Sequence, residues 1–270
     1  MSENASRTAL IGAGVMGEAI LSGLVRSGRP AADLLVGEKR AERAAELEER
    51  YGVEVVSNRD AAEWADTVAL VIKPQDMVAV LDEIAPALRP GQLLVSLAAG
   101  ITTELIESHV PAGVAVVRVM PNTPALLGQG MAAISPGSDC DEAQLAEVEA
   151  MMSAVGEVVR VPEKQQDAVT AISGSGPAYV FLVAEAMIEA GVQLGLPRPT
   201  ARELAVQTLL GSTSMLKESG EHPTVLREQV TSPGGTTAAA LRELEVQGLR
   251  AAFHAALEAA RDRSRELAGG

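Results

Sequence analysis

Few side chains in this 270-residue chain have the type and spacing for chemistry, and most of those stand beside glycine. Gly12-Ala13-Gly14-Val15-Met16-Gly17 matches G-x-G-x-x-G, directly after the apolar run Thr8–Ile11 and at the start of a helical stretch. In that context Gly12 allows a tight turn, Gly14 lets backbone approach a pyrophosphate, and Gly17 lets the helix pack closely on the strand. The phosphates would rest on free N–H groups opening the helix, at Val15 and Met16. The pattern predicts dinucleotide binding.

Cofactor choice turns on Glu38-Lys39-Arg40, at the end of the second strand-like run. Glu38 lies 21 residues beyond Gly17, where an acid would hold the ribose hydroxyls of NAD. Lys39 and Arg40 instead offer charge to a 2′-phosphate, and cations opening a helix oppose its dipole, which argues for a functional reason. NADPH is expected, with NADH as the alternative. Two more strand ends bear on the nicotinamide: Lys73-Pro74, whose proline stiffens the backbone, and Ala98-Ala99-Gly100, small enough to admit a flat ring. Lys73 also reads as an ordinary exposed loop lysine.

Other chemistries find no residues. The three histidines, His109, His222 and His254, are far apart, and the single Cys140 is flanked by Asp139 and Asp141, which disfavour a thiolate. No metal site is expected, and one cysteine fits a reducing, cytoplasmic setting. A net charge of −14 and 2% aromatic residues oppose nucleic-acid binding, which needs clustered cations and stacking platforms. No run of about 18 consecutive apolar residues occurs, so no membrane span is expected.

The elements that must position these residues follow from the rhythm of the chain. Thr8–Ile11, Leu34–Val36, Val53–Val56, Thr67–Ile72, Leu93–Ser96 and Val114–Met120 read as strands separated by helical stretches, followed by Met131–Ser135 and Glu157–Val161. Alternating β and α elements predict an α/β domain with a mostly parallel sheet. After Pro162 the strand signals stop and every segment reads as helix, which places a boundary between residues 1–162 and 163–270. Ala178–Leu194 is apolar all round except for one stripe, Glu185, Glu189 and Gln193, as expected of a helix buried between subunits.

Three further segments are too patterned for ordinary loops: Val119-Met120-Pro121-Asn122-Thr123-Pro124, Ala171 to Tyr179 with its Ser173-Gly174-Ser175-Gly176-Pro177, and Val230 to Thr237 with its Ser232-Pro233-Gly234-Gly235-Thr236-Thr237. With the glycine fingerprint and Ile72-Lys73-Pro74, in this order from Thr8 to about Leu267, the chain resembles the pyrroline-5-carboxylate reductases. The resemblance implies a Rossmann-type dinucleotide-binding domain followed by an all-helical dimerisation domain, and NAD(P)H-dependent reduction of a cyclic imine to L-proline. It also implies homodimers that assemble further, commonly into decamers.

Site residues follow from the likeness and from chemistry together. Amides at Gly234, Gly235 and Thr236, opening an alanine-rich helix, can cradle the substrate carboxylate without an arginine. The likeness puts the imine-facing, catalytic hydroxyl at Thr237, a residue that could equally be the cap of that helix. Ser175 reads as a substrate contact, or its segment as the cap of the helix that follows, with Pro177 in the first turn. Asn122 falls at the nicotinamide edge. Asn58 falls near the adenosine ribose, or is a helix N-cap. A hydroxy-acid dehydrogenase relative would carry a lysine on the interface helix, and Ala178–Leu194 has none.

Overall fold

In the computed structural model, which describes residues 6–268, the leucine- and valine-rich runs of the first half form one eight-stranded sheet. The strands are β1 (Thr8–Ile11), β2 (Leu34–Gly37), β3 (Glu54–Val56), β4 (Thr67–Leu70), β5 (Leu93–Ser96), β6 (Ala115–Met120), β7 (Gly130–Pro136) and β8 (Gly156–Arg160). Their order is β3-β2-β1-β4-β5-β6-β7-β8. Neighbours from β3 to β6 run parallel, β7 turns antiparallel to β6, and β8 pairs parallel with β7. The order reverses between β1 and β4, and ligands of open α/β sheets bind beyond the carboxyl ends of the strands at such a reversal.

The inner strands are mostly apolar because alternate residues enter two different cores. Leu10, Ala69, Val95 and Val117 face one core, completed by α1 (Val15–Arg26), α2 (Ala41–Tyr51) and α6 (Glu142–Ser153). Ile11, Leu70, Leu94 and Val116 face the other, under α3 (Asn58–Trp64), α4 (Met77–Ile84) and α5 (Thr103–His109). Both outer strands are short or charged: β3 has three residues and begins with exposed Glu54, and β8 carries Glu157 and Arg160. β4 ends two residues earlier than its apolar run suggests. Val71 N–H still donates to the Ile11 carbonyl at 2.8 Å, and the chain then bends into a 3-10 turn at Pro74–Asp76.

The chain divides into two compact units, one through Ser175 together with the stretch from Ala260, the other Gly176–Ala259. The first unit extends past the last strand because polar groups tie the following segment to the sheet. Buried Arg118 on β6 pairs with Glu163 at 2.9 Å. Gln166, wholly buried at the start of α7 (Gln166–Val169), donates to Ser135 Oγ at 2.7 Å.

The second unit holds α8 (Gly176–Gln193), α9 (Arg198–Ser219), α10 (Pro223–Gln229), α11 (Thr236–Val246) and the first part of α12 (Leu249–Ala268). Small residues bring α8 and α9 together: a Cβ on Gly191 would lie 3.1 Å from that of Ala201. Ala201 and Ala205 are the buried residues of α9, and α8 buries none. Val180, Phe181, Leu182, Leu204, Leu210 and Met215 are all exposed on the single chain. So many exposed large apolar side chains on two neighbouring helices point to an interaction surface. The helical stretch Glu163–Gln193 also has the length and mean hydropathy, 1.4, of a bilayer crossing, a combination that core helices of soluble proteins share.

Candidate active site

The glycine loop is built by contacts that sequence motifs do not reveal. Gly12 has φ +95°, and a Cβ there would fall 2.5 Å from the Val71 carbonyl oxygen, so only glycine fits. A Cβ on Gly17 would fall 2.2 Å from the Gly12 carbonyl oxygen, which fixes how closely α1 approaches the loop. At Gly14, by contrast, a Cβ would meet nothing within 4 Å. Gly14 is the N-cap of α1 and no side chain caps that helix, so the first-turn amides at Val15, Met16 and Gly17 have no side-chain acceptor among the described residues. Open space over uncapped amides fits a pyrophosphate.

Distant residues hold this loop. Gly12 N–H donates to the Gly37 carbonyl at 3.0 Å, and Ala13 N–H donates to the Glu38 carboxylate. Arg43 Nε donates to the Ala13 carbonyl at 3.1 Å while its other nitrogens pair with Glu18 and Glu46. Glu18, in the first turn of α1, also accepts from Tyr51 Oη at 2.9 Å. Arg43, then Tyr51, hold its carboxyl below the usual range.

At the end of β2 the charges are paired. Arg40 wraps Glu38 with its own N–H at 3.0 Å, Nε at 3.1 Å and a terminal nitrogen at 3.0 Å. The Glu38 side chain is only 8% exposed, and the Arg40 hydrogen bond pushes its pKa down to about 2. Arg40 itself stays 67% exposed. Lys39 Nζ lies 3.0 Å from Glu83, which also accepts from Asn58 Nδ2 at 3.2 Å. Asn58 is not the N-cap of α3: Ser57 is, its Oγ accepting from Asp60 N–H at 3.1 Å. Asn58 is instead the first helical residue, buried against Gly37.

Lys73 is exposed at the N-cap of the 3-10 turn that Pro74 opens, and has no ion-pair partner among the described residues. Ala98 packs its methyl group into the core, whereas Ala99 is half-buried. Asn122 Oδ1 accepts from Met131 N–H at 2.9 Å and its Nδ2 donates to the Ser173 carbonyl at 3.1 Å.

Ser173 to Ser175 does not form a capping loop. Residues Thr170–Gly174 form a π-helical turn continuous with α7, and Ser175 N–H reaches back five residues to Thr170 at 2.8 Å. Such turns recur at functional sites. Sequence reasoning takes Ser-Gly-Ser-Gly for a loop because it weighs local propensity alone.

In the second unit, Gly235 N–H donates to the Ser232 carbonyl at 3.0 Å, with Pro233 second and Gly234 third at φ +69°, the pattern of a type II turn. Gly235 is the N-cap of α11, without a side-chain cap. Thr236 and Thr237 are therefore the first two helical residues, and the capping alternative for Thr237 is corrected. Neither hydroxyl has a hydrogen-bond partner among the described residues, and Thr237 is half-buried. The turn thus presents the Gly234, Thr236 and Thr237 amides and two hydroxyls, all without a partner among the described residues, whereas the Gly235 amide expected to join them is taken by the Ser232 carbonyl.

A family model for "pyrroline-5-carboxylate reductase dimerisation" matches residues 163–267, and one for "NADP oxidoreductase coenzyme F420-dependent" matches residues 7–100. A pyrroline-5-carboxylate reductase of Corynebacterium melassecola is 49% identical over 96% of this chain and 97% of its own. The solved structure of a pyrroline-5-carboxylate reductase from Coxiella burnetii superposes with a TM-score of 0.94 at 39% identity, covering 98% of this chain and 99% of that one. A pyrroline carboxylate reductase from Plasmodium falciparum, solved with NADP bound, gives 0.87 at 30% identity, covering 99% and 100%. With motifs, fold and relatives in agreement over nearly its whole length, the chain belongs to the pyrroline-5-carboxylate reductase family.

Proposed function

We propose that the protein reduces Δ1-pyrroline-5-carboxylate to L-proline, the last step of proline biosynthesis, with NADPH as hydride donor and NADH as the alternative. The observation that carries the reading is the Ser232–Thr237 turn, whose free amides and hydroxyls suit a small carboxylate beside an imine nitrogen. When bound, the reduced nicotinamide supplies a hydride to the imine carbon, and a proton on nitrogen completes the amine.

The chain's own residues bind and orient. Gly12, Gly14, Val15, Met16 and Gly17 take the pyrophosphate, Arg40 with Lys39 faces the 2′-phosphate, and Asn58 lies toward the ribose. Pairing with Arg40 neutralises Glu38, which would otherwise repel that phosphate. Lys73, Pro74, Ala98 and Ala99 line the nicotinamide end, with Asn122 beside it and its amide committed to Met131 and Ser173. Gly234 and Thr236 hold the carboxylate, with Gly235 shaping the turn between them through its bond to Ser232. Ser175 contacts the ring, and Thr237 donates a hydrogen bond to the imine nitrogen or to a water relaying the proton. An unperturbed threonine is too weak an acid to be the proton source, so positioning carries the rate effect.

Residues 163–270 act as the dimerisation and substrate domain, after a cofactor domain ending at 162. The exposed apolar residues of α8 and α9 are covered by a second copy, and higher assemblies such as a decamer build on that dimer. The same contact accounts for the apolar stretch 163–193 without a membrane, since Glu185 and Glu189 would be costly in a bilayer. A cytoplasmic enzyme that binds no nucleic acid is the reading that the single cysteine and the acidic balance support. The test is loss of reduced-cofactor absorbance on adding pyrroline-5-carboxylate near neutral pH, compared for NADPH and NADH. No decay with either cofactor overturns the proposal.

A further inference from the structure

The π-helical turn raises a question of donors and acceptors. Pro177 has no N–H, so it cannot return the usual bond to the carbonyl four residues earlier, that of Ser173. Asn122 Nδ2 supplies the donor at 3.1 Å. The orientation of the amide is fixed at its other end, where Oδ1 accepts from Met131 N–H at 2.9 Å. One side chain thus joins the end of β6 and the start of β7 to the widened turn.

The hydroxyls of the turn are divided unequally. Thr170 Oγ1 donates to the Gln166 carbonyl at 2.9 Å and Ser173 Oγ to the Val169 carbonyl at 3.1 Å. Ser175 alone of the three has no hydroxyl partner among the described residues, and its backbone N–H closes the turn on Thr170. The direction of the free hydroxyl is therefore set by the geometry of the turn, and that geometry rests on the Ser173 carbonyl being satisfied. We infer that Asn122 is a positioning residue for substrate: it replaces the donor missing at Pro177, holds the π turn in register, and so aims Ser175. This rests on the proposed role of Ser175 and differs from a direct cofactor contact by Asn122.

Asn122→Asp tests it, because the carboxylate keeps an acceptor for Met131 while setting an oxygen against the Ser173 carbonyl. The expected result is a rise of about tenfold in KM for pyrroline-5-carboxylate, with the Kd for NADPH, titrated without substrate, changed less than about twofold. Ser175→Ala should raise KM similarly, and the double variant should be little worse than either single one. Backbone amide exchange at Ser175 in the ligand-free protein should quicken in Asn122→Asp and in Asn122→Ala, but not in Ser175→Ala. Unchanged exchange in both Asn122 variants, additive KM effects, or a loss of NADPH affinity matching the KM rise would each overturn the inference. Failure of the wild-type protein to turn over this substrate would overturn the functional reading instead, and the exchange result would still test the turn.

Discussion

Two helices, α1 and α11, begin alike and are supported differently. Each has an uncapped glycine at its N-cap, Gly14 at φ −68°, ψ −169° and Gly235 at φ −78°, ψ 173°. The loop before α1 is held by Gly37, Glu38 and Arg43, more than 20 residues away in sequence, and roofed by Val71. The turn before α11 is held by near neighbours: Gly235 to Ser232, Thr231 N–H to Glu228, and Thr231 Oγ1 to Arg227 at 2.6 Å. The first of these turns is over-determined within one chain. The second has its shape written locally and relies on the order of a helical unit that exposes most of its large apolar side chains.

The comparison predicts where substitutions should act. The largest effect is expected from Phe181→Glu with Leu182→Glu, each withdrawing about 2 kcal/mol of apolar burial from the dimer. Sedimentation should show monomers and turnover should collapse, while the monomer still binds NADPH; a persisting, active dimer would break the contrast between the units. Thr237→Val should lower kcat by about 10²-fold, as loss of a polar group at a reacting centre does, and leave NADPH affinity unchanged. Near-normal turnover would remove the catalytic assignment. Gly12→Ala should cost about 1–3 kcal/mol of stability in thermal melts, because it combines positive φ with a backbone collision. Gly14→Ala should leave the melting temperature alone and weaken dinucleotide binding, since its Cβ would enter only open space.

The smallest effect is electrostatic. The Glu38 carboxyl has its pKa lowered from 4.5 to about 2, so its ionised form stabilises the fold. That contribution is complete above pH about 4.5 and is lost as pH falls toward about 2. The stability advantage of wild type over Glu38→Gln, followed by denaturant titration across this window, should shrink toward acid. A constant difference would mean that the Arg40 pair contributes through shape alone.

The sheet is legible because double-sided burial writes a strand as a largely apolar run, and β5 spans the Leu93–Ser96 stretch read from that signal. What escaped reading depends on partners far apart in sequence. Nothing beside Arg43 announces that it will grip the Ala13 carbonyl, and Lys39 gives no sign that Glu83, 44 residues on, will pair with it. Asn58 and Ser57 are equally good caps by type, so only the backbone angles of Ser57 decide between them. The π turn was hidden for a related reason: it takes the proline at 177 and the amide at 122 together to stabilise it.

The margins of the sheet also bear on how copies of the chain meet during synthesis and at high concentration. An open strand edge is a template on which another chain can zip up into cross-β fibres. Here one margin is three residues long, and the other is studded by Arg160, which grips Glu142 and Glu149 at 2.5 Å. Neither margin offers a flat, uncharged rail. Encounters between copies are thereby steered away from disordered fibre growth and toward the exposed apolar helices.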